Sequence, residues 1–373
     1  MRIEEFKDAI YTCNRTRCGI CVKDCPEYKE MTLEPGASRG KMIALRGILE
    51  NKYQVSSRLA EIFYKCFLCG YCSARCALDN HKIFESFRAD LVEHGMAPEV
   101  LKQAVDFVVK RENPYGTQRE DKASWADDLN LPKRSTTLLF AGCTEGLVLP
   151  DIARTTAILL QDSRLQFGYM GEEEPCCGLA LHELGFVQEF EEKATSTARS
   201  LKQTGANEVI TTCPYCTYAF NNVYPEIVQG FEITATHMTP ALLRLIDDGK
   251  ISLKNRLNMK VTYHDPCHLA RYQKIVDEPR AILQRIPGVE LVEMAHNKLL
   301  ANCCGGGGSV RAIDSDFAFS VARKRLAEVE DTQAEALVTS CPFCLRMLST
   351  AARSSDSNIR VLDLTELVMM SKA

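Results

Sequence analysis

The chain has 373 residues, and its 45 Lys and Arg against 49 Asp and Glu leave a net charge of −4. That balance argues against a general nucleic-acid binder, which needs a net basic face. A chain of this length buries a sizeable core without covalent staples, yet 18 of its residues are cysteine.

In chain order, residues 1–110 carry apolar residues at helical spacing, as in Arg39–Asn51 and Val55–Tyr64, and lack strand-type alternation. They predict an α-helical module. It holds Cys13, Cys18, Cys21 and Cys25, spaced C-x4-C-x2-C-x3-C and followed by Pro26. It also holds Cys66, Cys69, Cys72 and Cys76, spaced C-x2-C-x2-C-x3-C. Residues 111–135 are polar, with Asn113-Pro114, Gly116, Asp127-Asp128 and Pro132 as breakers, and predict a linker. Beyond them β-rich runs alternate with helical stretches such as Phe186–Thr204 and Asp314–Glu330. This predicts βαβ units and a parallel sheet in each of two domains, 136–257 and 258–373.

Each of these domains carries five cysteines. The first has Cys143, the pair Cys176-Cys177, then Cys213 and Cys216, as C-x32-CC-x35-C-x2-C. The second has Cys267, the pair Cys303-Cys304, then Cys341 and Cys344, as C-x35-CC-x36-C-x2-C. Each pair is followed by Gly, and each set closes on a strand-like run into Cys-Pro-aromatic-Cys. Self-similarity over about 125 residues reads as domain duplication, not a short-period solenoid. No cysteine is left outside the four groups.

No stretch approaches the ~20 apolar residues of a membrane span. The opening Met1-Arg2-Ile3-Glu4-Glu5-Phe6-Lys7 has no apolar signal core. The expected location is cytoplasmic, where clustered thiols hold metal more often than they form disulfides. A C-x2-C-x2-C-x3-C run is the pattern for a cubane [4Fe–4S] cluster, and in paired runs the fourth cysteine of each ligates the other cluster. On that rule Cys66, Cys69, Cys72 and Cys25 hold one cubane, and Cys13, Cys18, Cys21 and Cys76 hold the second. The longer first interval leaves Cys13 the least fixed of these. Zinc fits less well, because a third cysteine crowds the C-x2-C knuckle that structural zinc uses. Five cysteines per repeat exceed one cubane, which implies an unusual cluster or a cluster with a free thiolate.

At these residues the sequence resembles the cysteine-cysteine-glycine (CCG) domain family, which includes heterodisulfide reductase catalytic subunits and iron–sulfur subunits of dehydrogenase complexes. The resemblance covers nearly the whole chain and is strongest to the type in which a ferredoxin module is fused to the catalytic one. It implies an α+β multidomain fold: a helical two-cluster ferredoxin module, then two Rossmann-like CCG domains. It also implies two noncubane [4Fe–4S] clusters. Cys143, Cys176, Cys177, Cys213 and Cys216 would hold one, and Cys267, Cys303, Cys304, Cys341 and Cys344 the other. In the disulfide reductases of the family the substrate disulfide sits between these two clusters.

His264-Asp265-Pro266-Cys267-His268 sets two histidines beside a candidate ligand. His264 and His268 are candidates for proton delivery to a leaving thiolate, or for hydrogen bonds to the turn or to cluster sulfurs. His237 and Asp363 hold matching places at predicted strand ends. Such a residue faces the crevice of an α/β fold, or caps the next helix, as Asp363 is suited to do. Gly305–Gly308 suits close wrapping of a cluster, with N–H groups offered to sulfur. Arg271 and Arg311 could bind an acidic substrate, although isolated arginines are more often solvated surface. No G-x-G-x-x-G or flavin motif occurs.

The expected electron donor is therefore a flavoprotein, ferredoxin or membrane cytochrome on another chain. The expected protein is an oxidoreductase subunit of a hetero-oligomeric complex in anaerobic metabolism, reducing a small disulfide or related thiol substrate. The alternatives are a substrate-free electron-transfer subunit linking a flavoprotein dehydrogenase or reductase to another carrier, and a structural or redox-sensing component.

Overall fold

A computed structural model describes residues 1–373. Helices Lys7–Thr16, Ser38–Leu49, Ser57–Tyr64, Asn80–Glu93 and Glu99–Arg111 build the N-terminal module. Helix Ser38–Leu49 forms because Met42, Leu45 and Ile48 recur on one face, which it buries. Ser56 starts the next helix by accepting the Leu59 N–H at 3.4 Å. Pro26 opens the short helix Pro26–Met31 and so ends the first cysteine loop.

The first repeat is a three-stranded parallel sheet of β1 (Thr137–Phe140), β2 (Glu208–Thr211) and β3 (Thr234–His237), in that order. The second has four parallel strands, β4 (Met259–Tyr263), β5 (Val289–Leu291), β6 (Ala336–Thr339) and β7 (Arg360–Asp363), in the order β5-β4-β6-β7. In the first repeat the place of β5 is taken by a single bridge, Leu138 to Gly168. The strands are short, and β1, β2, β4 and β6 are buried along nearly their whole length, as parallel strands covered on both sides must be.

Alternation along the strands divides the interior into three cores. Leu139, Ile210, Val261 and Val338 point into a core shared by the two repeats. Leu138, Phe140 and Val209 point the other way, into a core continuous with Met42, Leu45, Phe63 and Phe87 of the helical module. Leu337 joins Phe67, Cys69 and Tyr71 of that module in the third. The domains predicted from sequence are therefore not separate globules: every core crosses a boundary between them.

The stretch 111–135, read from its polarity as a linker, lies packed against the first repeat. Turns Glu120–Lys122 and Ser124–Ala126 pack it onto the first repeat. Trp125 is buried with its ring centroid 4.6 Å from that of Tyr169. Lys122 is buried, with Nζ 2.9 Å from the Glu174 carboxylate. Its breakers serve a fixed strap, because one aromatic and one lysine stem are enough to anchor it.

Candidate metal centre

The module brings Cys25, Cys66, Cys69 and Cys72 around one small cavity of about 30 Å³, together with Glu27, Ser38, Lys41 and His81. Cys13 is grouped instead with Cys21, Cys76 and Cys18. Burial and the charges of those three push its thiol up to about 11. Cys25 thus stands with the second run and Cys76 with the first. Lys41 is buried against the inner group and donates to Glu27 at 2.5 Å and to the Gly36 carbonyl at 2.8 Å. Burial pulls this lysine down, but Glu27 and the Cys66 and Cys25 thiolates outweigh it and hold it above its usual value.

In the first repeat Cys143, Cys176, Cys177, Cys213 and Cys216 line a second small cavity of about 30 Å³. The Cys216 and Cys177 sulfurs are 3.4 Å apart, and the Gly178 N–H points at Cys176 Sγ at 3.4 Å. The loop after β1 is held by Glu174, which accepts the N–H groups of Ala141 and Gly142 at 2.9 Å each. Glu145 also lines this cavity. One oxygen accepts the Thr212 hydroxyl and the other has no partner. Burial holds it well above the usual carboxylate range.

In the second repeat Cys304 and Cys344 sulfurs are 3.2 Å apart, and a ring nitrogen of His264 lies within 4.8 Å of both. Gly305 and Gly306 N–H groups point at Cys303 and Cys304 sulfurs at 3.3 and 3.4 Å. The same glycine run also carries the seam with the helical module. A Cβ on Gly307 would lie 2.5 Å from the Phe67 carbonyl oxygen, and one on Gly308 2.4 Å from that of Cys66. At this seam Cys69 and Cys303 are buried in the same core.

The two histidines are held differently. His264 Nδ1 accepts from Arg325 Nε at 3.1 Å. Burial and the Arg325 charge hold it well below its usual value, so it is neutral. His268 Nδ1 is 3.5 Å from Cys267 Sγ, and Nε2 is 3.1 Å from the Glu183 carboxylate of the first repeat. Burial pulls this imidazole down, but Cys267 and Glu183 outweigh it and raise it well above its usual value.

His237 and Asp363 both cap the helix that follows, accepting the Thr239 and Thr365 N–H groups at 3.2 and 2.8 Å. His237 Nε2 also lies 2.9 Å from the Thr212 carbonyl oxygen, beside Cys213. Arg271 corrects the expectation of surface or substrate contact. It is buried and bonds the carbonyls of Cys69, Leu299 and Ala301, because three converging carbonyls satisfy a guanidinium without solvent. Arg311 is half-buried over the Phe319 ring.

Sequence reading missed Lys41, Lys122, Glu145, Glu183 and Arg325. For Arg325 a signal existed: a cation in register with Ala318, Val321, Ala322 and Val329 on the buried face of helix Ser315–Glu330.

The donor chemistry suits iron–sulfur clusters. Soft thiols converge in sets of four and five, backbone N–H groups aim at sulfur, and buried Lys41 and Lys122 sit beside them to offset thiolate charge. A helical ferredoxin-type module joined to two α/β repeats, each with five thiols, defines an iron–sulfur oxidoreductase of the cysteine-rich-domain class. Residues 9–80 match the 4Fe-4S dicluster domain, and residues 137–221 and 261–349 each match the Cysteine-rich domain, CCG. The chain is 34% identical to the D-subunit of the dihydromethanophenazine:CoB--CoM heterodisulfide reductase of Methanosarcina acetivorans, over 95% of this chain and 92% of that one. It is 33% identical to the corresponding Methanosarcina mazei protein over the same shares. Identity is 26% to the B-subunit of the fumarate reductase (CoM/CoB) of Methanothermobacter marburgensis, covering 99% of this chain and 74% of that one. The chain belongs to the CCG-domain family of the heterodisulfide reductase D-subunit type. A crystal structure of a hypothetical protein from Helicobacter pylori shares the fold, with a TM-score of 0.57 and 10% identity over 89% of this chain and 66% of that one. No helix is long and apolar enough to cross a membrane.

Proposed function

We propose that the chain is the disulfide-reducing subunit of an iron–sulfur complex. Cys25, Cys66, Cys69 and Cys72 would hold one cubane [4Fe–4S] cluster, and Cys13, Cys18, Cys21 and Cys76 the other. The five thiols of each repeat would hold one noncubane [4Fe–4S] cluster apiece. Bound there, the clusters would supply one-electron steps from a donor on another chain to a small disulfide or related thiol substrate. That donor is a flavoprotein, a ferredoxin or a membrane cytochrome.

One observation supports this reading above the others: the two five-thiol sites face each other. Pro342 and Phe343 of the second repeat line the cavity of the first. The Phe343 and Tyr215 rings, from the two Cys-Pro-aromatic-Cys turns, meet at 5.8 Å. A disulfide held across that contact has one sulfur toward each repeat, and the two rings keep water out. His268, braced by Glu183 and set against Cys267, is placed to hold a proton for a departing thiolate. His264 is placed to donate a hydrogen bond at the second site.

The test is made on anaerobically purified holoprotein. It should carry about 16 iron atoms, four per cluster, and reduce a heterodisulfide with reduced viologen as donor. Cys304→Ser should abolish that turnover while the helical module remains reducible. Inactivity toward every disulfide tried, with normal reduction by a flavoprotein, would overturn the reading in favour of a pure relay. A zinc-dominated metal content would overturn both.

A further inference from the structure

We propose that the rim of the outer cysteine group in the helical module is a docking surface for an acidic electron-carrier protein. The inference rests on reading that module as the electron inlet. Of the eighteen cysteines, Cys18 alone is exposed. It belongs to the group of Cys13, Cys21 and Cys76, so this group has the edge open to solvent. In the inner group and both five-thiol sites every cysteine is buried or half-buried.

The exposed charges that flank Cys18 in its loop are positive. Arg15, Arg17 and Lys23 are all exposed. Neighbouring cations are engaged, Lys29 with Asp24 at 3.2 Å and Arg39 with Glu34 at 2.5 Å, but these three have no carboxylate partner. The nearby acids are occupied. Asp24 accepts from Tyr71 at 2.9 Å as well as pairing with Lys29, and Asp79, beyond Cys76, is 3.0 Å from His81. Three unpaired positive charges within one cysteine loop stand out in a chain whose net charge is −4. Ile20, between Cys18 and Cys21, is 45% exposed and gives the rim an apolar centre.

An apolar spot ringed by one sign of charge is the pattern of a steered protein contact, where charge sets orientation and on-rate. Unpaired cations select a partner with carboxylates around its redox group. Each productive encounter would oxidise the carrier by one electron and reduce this chain by one, with no bond made or broken. A single exposed isoleucine is too little apolar surface to embed in a bilayer.

The test uses the full-length holoprotein, with an acidic two-[4Fe–4S] ferredoxin as protein donor and methyl viologen as small-molecule donor. Wild type is compared with the triple charge reversal Arg15→Glu, Arg17→Glu, Lys23→Glu and with the milder triple change to Gln. All three proteins are matched for iron content. Calorimetric affinity for the ferredoxin and stopped-flow reduction rates are measured across ionic strength. Charge reversal should weaken binding and slow ferredoxin-driven reduction about tenfold or more. It should also flatten the salt dependence, while viologen-driven reduction does not slow. The Gln variant should fall between. Equal ferredoxin affinity and salt dependence in wild type and variants would overturn the proposal. So would charge-dependent binding of wild type to phosphatidylserine vesicles without affinity for the ferredoxin, which would assign the rim to a membrane surface. Failure of viologen to reduce the wild-type module at all would overturn the inlet reading itself.

Discussion

The two repeats space their thiols alike but surround them with different chemistry. In the first, the end of β1 carries Phe140, and the thiols sit among Glu145, Glu174 and Lys122. In the second, the matching position is His264, and the surroundings are His268, Arg271 and Arg325. The register is the same, since Phe140 pairs with Thr211 and His264 accepts at its carbonyl from the equivalent Thr339. The thiol pattern is set by what four or five sulfurs must do to hold iron. The shell around them is free to set charge, and the two shells have diverged. The repeats are therefore two unequal sites, and both meet the helical module, the first at Val108 and the second at Phe67 and Cys69.

The largest expected effect comes from the buried cations. Lys122→Met leaves Glu174, which is 0% exposed, without its ion partner, and should cost about 3–5 kcal/mol. Arg325→Met should cost less, because its partner Glu328 is 19% exposed and can be solvated. Thermal unfolding of the anaerobic holoproteins checks the order. An equal loss would show that the two shells are equivalent in stability.

The strand-end residues should give the next effect, with opposite signs in the two repeats. Burial lowers His237 from 6.5 to about 4. The unfolded chain then takes up its proton first, so stability is lost as pH falls below 6.5 toward 4. Burial raises Asp363 from 3.8 to about 7. Its contribution is present below 3.8 and lost as pH rises toward 7. His237→Asn should remove the acid-side loss and Asp363→Asn the other, each keeping a side chain that can cap. Melting temperature against pH reads both slopes.

The smallest effect sharpens the comparison most. His264→Phe copies the first repeat into the second. It should remove one N–H donor near Cys304 and Cys344, worth about 1 kcal/mol, or about 40 mV for a one-electron couple. The second site should become harder to reduce in a spectroscopic redox titration, with iron content unchanged. No shift would mean that the imidazole does not address the cluster.

Local pattern carried much of this molecule. The two tetracysteine groups and the strand runs were legible because they depend on spacing within a few residues, and the duplication because the same five-thiol spacing recurs about 125 residues later. The β-rich runs Thr136–Phe140, Val209–Thr212, Lys260–Tyr263 and Leu337–Ser340 lie within a residue or two of β1, β2, β4 and β6. Arg271 was misread because nothing near it in the chain shows that the carbonyl of Cys69 will stand 3.0 Å from its guanidinium. Trp125 and Lys122 made a strap of a segment that composition alone marks as a linker.

By itself, the sequence sorted the thiols into four groups and showed that the α/β half is doubled, since thiol spacing and strand alternation can be read along the chain. Only the tertiary structure decided what each site faces. Glu183 of one repeat reaches His268 of the other, Cys69 and Cys303 share a core, and each of the three cores crosses a domain boundary. Those partners are separated by tens to hundreds of residues. Chain closure around shared apolar surface brings them together, and no period in the sequence records it.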